Sequence, residues 1–188
     1  MGFSHLLSTE VSLANFREVF NISGDVDMTY YHEGDIALHQ RSGFNIVFFP
    51  LMAILEGGVR FPVNPLLLST LRFYGLCHDQ LPLNFYRVIS CINRLNQIYR
   101  LKLNHRDINF MYNLCGNLKS NYYIKARDVR VRLISCLPNS NRNSAGEYVQ
   151  VSSNWLANEL PSPLSSCEVG QYREPLFFFS CFTCDCFA

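Results

Sequence analysis

Across residues 84–100 the apolar side chains Val88, Cys91, Ile92, Leu95, Ile98 and Tyr99 recur at spacings of three and four. That spacing lays them along one face of a helix. Beyond Gly116 the period falls to two: Tyr123, Lys125 and Arg127 alternate with Tyr122, Ile124 and Ala126, and Arg130 and Arg132 with Val129, Val131 and Leu133. A period of two is that of an extended strand. A chain that changes period once in this way is expected to be α+β, a mostly helical core followed by a small antiparallel β hairpin or sheet.

Local signals place the remaining elements. Ser12 is suited to cap a helix reaching Phe20, with Leu13, Phe16, Val19 and Phe20 on one side. Residues 21–43 hold Asp25, Asp27, Glu33 and Asp35 among isolated apolar residues and read as an acidic, loop-rich stretch with a short strand near 28–31. An apolar element over 44–56 would bend at Pro50 and end at Gly57 and Gly58. Asn64 before Pro65 predicts a helix start, because the amide side chain accepts from an orphan N–H and proline at the first position has none to waste. Gly75 would stop that helix. Asn104 with Asp107 three residues on resembles a capping box for a helix running to Cys115, stopped by Gly116. The two strands, 122–127 and 129–133, would turn near Asp128, and a third strand over 147–151 would lead to Trp155. The expected organisation is an N-terminal helix and acidic segment (1–43), a globular domain (44–157) whose compact core spans about 44–135, and a disordered or cryptic Cys/Phe-rich tail (158–188) whose deletion from 164 onward should leave the domain folded.

Composition narrows the function classes. With 188 residues, 48% hydrophobic and 16% charged, the chain is too apolar for disorder and has no uninterrupted apolar run of membrane-spanning length. The N-terminus lacks a basic segment followed by a long apolar stretch, so an intracellular protein, cytoplasmic or nuclear, with no membrane partner is expected. Of eight cysteines, Cys77, Cys91, Cys115 and Cys136 stand singly among apolar neighbours and read as small buried hydrophobes. Cys167, Cys181, Cys184 and Cys186 crowd near the end without the paired spacing of a structural zinc site, and no histidine follows Cys181. His5, His32, His39, His78 and His105 show no metal-pair spacing, and neither a nucleophile elbow nor a phosphate-cradling glycine loop occurs. No catalytic residue, metal or cofactor is expected.

Charge is segregated. Residues 87–132 carry ten Lys or Arg against Asp107 and Asp128, a net +8, whereas residues 1–86 carry four basic against eight acidic, a net −4. Were the strands to turn at Asp128, Lys125, Arg127, Arg130 and Arg132 would form one cationic face, with Ile124, Val129, Val131 and Leu133 packed inward and Tyr99, Tyr112, Tyr122 and Tyr123 nearby for stacking. Such a face suits RNA or DNA bound through phosphates without base readout. The bland alternative is that the basic half neutralises the acidic one.

One stretch goes further. Gly58, Arg60, Phe61, Pro62 and Pro65, followed after one short helix by Gln80, Leu81, Asn84, Tyr86 and Arg87, resemble the pattern of the plant gypsy-type transposon family, associated with the gag-like region of plant retrotransposons. The resemblance extends over about 13–157 and implies a non-enzymatic interaction or assembly module, with partners among other copies of itself or other proteins encoded by the element. From the residues alone, Pro62 and Pro65 fix φ, Asn64 and Asn84 cap helices, and Arg60 and Arg87 are placed to pair with carboxylates such as Glu56 or Asp79.

Overall fold

The computed structural model describes residues 3–32, 46–76, 78, 81–116, 122–137 and 146–153. After a 3-10 turn at Ser4–Leu6, helix α1 spans Glu10–Phe20. Its cap is Thr9: the Ser12 N–H donates to Thr9 Oγ1 at 3.1 Å while the Thr9 N–H donates to Ser12 Oγ at 3.0 Å. Ser12 is therefore the reciprocal third member of a capping box and not the cap itself. Phe16 is buried and Val19 is 73% exposed, so the inner face runs through Leu13, Phe16 and Phe20.

Three strands form an antiparallel sheet ordered β1 (Val26–His32), β5 (Glu147–Ser153), β2 (Val47–Pro50). Val26 and Met28 point inward, Asp27 and Thr29 outward, as alternation requires. In β5, Val149 faces Tyr30 on one side and Phe49 on the other, and Val151 faces Met28 and Val47. Glu147 adds side-chain ties, accepting from the Phe3 N–H at 2.6 Å and from Tyr30 Oη at 3.0 Å. The expected domain boundary at 43 is thus no packing boundary: Phe16, Ile22, Val26 and Met28 belong to the same core as Leu71 and Ile92, because β1 is laid down beside β5. Trp155 and the expected tail lie outside the described residues.

Pro50 closes β2 and leads directly into helix α2 (Leu51–Leu55). Helix α3 (Pro65–Tyr74) starts as expected: Asn64 Oδ1 accepts from the Leu66 N–H at 2.7 Å, and Gly75 ends it with φ 64°. Helix α4 (Leu83–Tyr99) buries Leu83, Phe85, Tyr86, Val88, Ile89 and Ile92. All six lie in its first ten residues, where α2 and α3 pack against it. Past that cover the predicted face is open, with Ile98 60% and Tyr99 65% exposed, and Cys91, within the covered stretch, points to solvent as well. Arg100 ends the helix in the left-handed conformation (φ 52°), and Asn96 folds the following loop back, donating to the Leu103 carbonyl at 2.8 Å and accepting from its N–H at 3.0 Å.

Helix α5 (His105–Met111) has the expected box of Asn104 and Asp107 but stops four residues short of Cys115. Tyr112–Gly116 is strand β3, paired antiparallel with β4 (Tyr122–Ala126) in the register Tyr112 to Ala126 and Gly116 to Tyr122. The pairing is therefore between 112–116 and 122–126, upstream of Asp128. Asp128 is no hairpin turn: its Oδ1 accepts from the Arg130 N–H at 2.8 Å and caps a 3-10 turn, Val129–Val131, where a second strand was expected. Val129 and Leu133, expected inside, are 60% and 40% exposed. The partner of β4 is β3, and the chain after Asp128 is drawn into the 3-10 turn that this residue caps.

The burial gradient along α4 yields a direct test. Ile92→Ala should cost roughly 2–5 kcal/mol, whereas Ile98→Ala should change stability by less than about 0.5 kcal/mol, read as urea midpoints at constant slope.

Candidate functional site

The short helix α2 ends with carbonyls that have no partner within the helix, a need every helix C-terminus shares. The two motif arginines meet it. Arg60 Nη1 donates to the Ile54 carbonyl at 2.9 Å and the Val59 carbonyl at 2.6 Å, and its guanidinium lies 4.9 Å from the centroid of the Phe20 ring. Burial pulls the Arg60 pKa below its ordinary value. Arg87 pairs with the Glu56 carboxylate through Nη2, donates from Nε to the Glu56 carbonyl at 3.4 Å, and from Nη1 to Asn84 Oδ1 at 3.0 Å. So Asn84 orients Arg87 and does not cap α4, whose first residue follows Pro82. Asp79 lies outside the described residues.

Between these arginines the chain runs against α4. A Cβ on Gly57 would sit 2.5 Å from the Ala53 carbonyl oxygen and 2.8 Å from Tyr86 Cβ; one on Gly58, where φ is 76°, would sit 2.8 Å from Ser90 Cβ. Ser90 Oγ donates to the Gly57 carbonyl at 2.8 Å across this contact. Tyr86 is 1% exposed and donates its hydroxyl to the His78 carbonyl. Phe61–Pro62 is a cis peptide, and Pro65 occupies the first position of α3. Gly58, Arg60, Pro62, Pro65, Asn84, Tyr86 and Arg87 therefore fasten α2, the connecting turn, α3 and α4 into one unit.

The four predicted cations separate into two kinds. Arg127 is bound to the end of α5, its N–H donating to the Met111 carbonyl and its Nε to the Asn109 carbonyl, both at 2.9 Å. Arg130 is paired with Asp128 at 3.1 Å, and its hydrogen bonds hold the Asp128 carboxyl below the usual range. Lys125 and Arg132 are both exposed and share one groove of about 640 Å3, lined also by Asn84, Tyr112, Tyr123 and Cys136. The structure thus unites Lys125 with Arg132 and assigns Arg127 and Arg130 to local structure. Tyr123, 46% exposed, offers a ring at this groove. Tyr112, expected as a stacking surface, is 2% exposed; its hydroxyl accepts from the Ile134 N–H at 3.0 Å and pins the far wall. Burial raises its pKa, opposed by that hydrogen bond and, more weakly, by Arg132. Burial likewise pushes Tyr74 up to about 12 against the pull of Arg127, leaving a neutral phenol that donates to Asn109 Oδ1 at 3.2 Å.

Among the described residues no three His, Cys, Asp or Glu side chains are grouped to hold a metal ion. Cys91 and Cys136 are exposed and Cys115 half-buried, contrary to the buried positions expected of them; Cys77 and the four C-terminal cysteines lie outside the described residues. No helix among the described residues is long and apolar enough to cross a membrane. Sequence periodicity missed the exposed end of α4, because it put Ile98 and Tyr99 on the same helix face as Val88 and Ile92.

Neither a protein-family model, nor a curated protein, nor a solved structure matches this chain.

The close packing at Gly57 predicts that Gly57→Ala costs about 1–3 kcal/mol, since the added methyl meets backbone and a buried tyrosine. Gly24→Ala, where a Cβ meets nothing within 4 Å, is the control and should leave the thermal midpoint nearly unchanged.

Proposed function

We propose that this chain is a non-enzymatic domain of plant gypsy-type retrotransposon origin, akin to the gag region, that acts as an interaction and assembly module. The described residues on which the family resemblance rests serve architecture, which favours a preserved shape over a reaction. The observation that carries the reading is the exposed α4–α5 corner, where Ile98, Tyr99, Leu101 and Phe110 stand 60%, 65%, 44% and 81% open to solvent. Ile98, Tyr99 and Leu101 fall within four residues of chain at the end of α4, and large apolar side chains exposed together in this way mark a site of association. Partners of this kind are further copies of the chain or other proteins encoded by the same element. An intracellular setting, cytoplasmic or nuclear, goes with this role. Sedimentation velocity over a hundredfold range of concentration, about 1 to 100 μM, should show mass rising with concentration. A monomer throughout would remove the assembly role.

The groove holding Lys125, Arg132 and Tyr123 favours a second role, sequence-nonspecific binding of RNA or DNA, with two cations for phosphates and one ring for a base. The double substitution Lys125→Gln with Arg132→Gln should weaken oligonucleotide binding for all sequences and flatten its dependence on salt by about one unit per lost phosphate contact, while Arg130→Gln changes little. No salt-sensitive binding by the native protein would remove this role and leave the assembly role standing.

A further inference from the structure

Two faces of opposite charge stand open on this fold. On α1, Val11, Asn15, Glu18 and Val19 fall within one outward face, joined at its edge by Glu10 and Ala14, and all six are exposed. Val11 and Val19 are 72% and 73% exposed, while Phe16 on the opposite side is buried. Two valines and an alanine thus surround the uncharged Asn15, and the charges at the margin of this face are the carboxylates of Glu10 and Glu18. The second face is the α4–α5 corner. Arg94 lies four residues before Ile98 on α4 and Arg106 four before Phe110 on α5, spacings that place each pair on one side of its helix. Arg100 and Lys102 occupy the loop between, which Asn96 clamps to α4 through Leu103. All four cations are exposed and make no ion pair among the described residues. Asp107, the acidic residue of this segment, is engaged by the Asn104 N–H in the helix cap.

Neither face suits a copy of itself, since a two-fold contact would set like charges against each other. Each suits the other. We infer that the acidic, valine-bearing face of α1 on one molecule docks on the basic, aromatic α4–α5 corner of a second, so that copies of this chain associate head to tail. The inference rests on the assembly role and specifies its geometry. Apolar contact between Val11 and Val19 and the corner's Ile98, Tyr99 and Leu101 supplies the buried area, and Glu10 and Glu18 meet the Arg and Lys side chains at its rim. Because the two faces differ, the contact uses one face of each partner and leaves the others free. It propagates into a ring or an open chain instead of stopping at a dimer.

Two blocking variants test this. Glu18→Lys with Val19→Arg spoils the α1 face, and Lys102→Glu with Arg106→Glu spoils the corner; all four positions are exposed, and far-UV circular dichroism with thermal melting verifies the fold. The native protein should grow with concentration and return towards monomer between about 0.05 and 0.5 M salt. Each variant alone should remain monomeric, and their equimolar mixture should form a one-to-one dimer that grows no further. Milder variants, Glu18→Gln and Lys102→Gln, should each weaken association ~threefold or more if a double variant misfolds. Growth of either double variant as in the native protein overturns the assigned faces and leaves the assembly role intact. Two monomeric variants that fail to dimerise when mixed overturn the pairing of these two faces. A native protein that is monomeric at every concentration overturns both the pairing and the assembly role, and loss of oligonucleotide binding by the corner variant in that case assigns the corner to nucleic acid.

Discussion

Everything else in this fold depends on β5 lying between β1 and β2. A strand from residues 147–153 pairs on one edge with 26–32 and on the other with 47–50, so the hydrogen bonds that close the sheet join segments about a hundred residues apart in the chain. Closing so long a loop costs chain entropy before any contact repays it. Repayment comes from the apolar side chains that the sheet presents to the helices: Val149 and Val151 at its centre, Val26 and Met28 beside them, and Phe49 against Phe61 with ring centroids 5.3 Å apart. Of the helices, α2 packs on β2 and β5, and α4 extends the same core through its first ten residues, with α2 and α3 against it.

The family-like residues occupy the joint between sheet and helices. Pro50 turns β2 into α2, a helix too short to satisfy its own carbonyls, and Arg60 and Arg87 approach that end from two directions. Gly57 and Gly58 permit the chain to lie directly on Tyr86 and Ser90. Arg87 has Asn84 at its back and the Glu56 carboxylate in front, a bridge whose carboxylate side is open to water and so only modestly stabilising as a charge pair.

Function on such a scaffold falls to what the core leaves outside. α4 is longer than the surface that covers it, and its last turns carry apolar and basic side chains into solvent together. The hairpin β3–β4 and the segment after it form a groove at the other end of the same helix, beside Asn84. Among the described residues, cationic side chains of the basic segment thus have three fates: Arg87 and Arg127 hold backbone carbonyls, Arg87 and Arg130 pair with Glu56 and Asp128, and Lys125, Arg132 and the corner residues face outward. A net charge by segment cannot distinguish them.

Residue type and short-range spacing determined much by themselves. The α+β class, the Asn64–Pro65 start, the Gly75 stop, the Asn104–Asp107 box and the strands near 28–31 and 147–151 were legible because each depends on a hydrogen bond or a backbone preference within a few residues. The arginine–Glu56 pairing was legible for Arg87 and not for Arg60, which found carbonyls and an aromatic ring instead. Tertiary structure decided the rest. Tyr112–Gly116 continues a helical pattern from Asn104, and only its partner strand 122–126 makes it extended. Ile98 and Tyr99 continue the apolar period of α4, yet periodicity states which side of a helix would face a neighbour and not whether a neighbour reaches that far. The four cations of 125–132 alternate like a strand face, but Asp128 captured Arg130 and the end of α5 captured Arg127, since a charged hydrogen bond at hand outweighs a weak alternation. Short-range physics wrote the elements into the sequence; which faces are covered, and hence which remain to bind, depends on contacts between residues far apart in it.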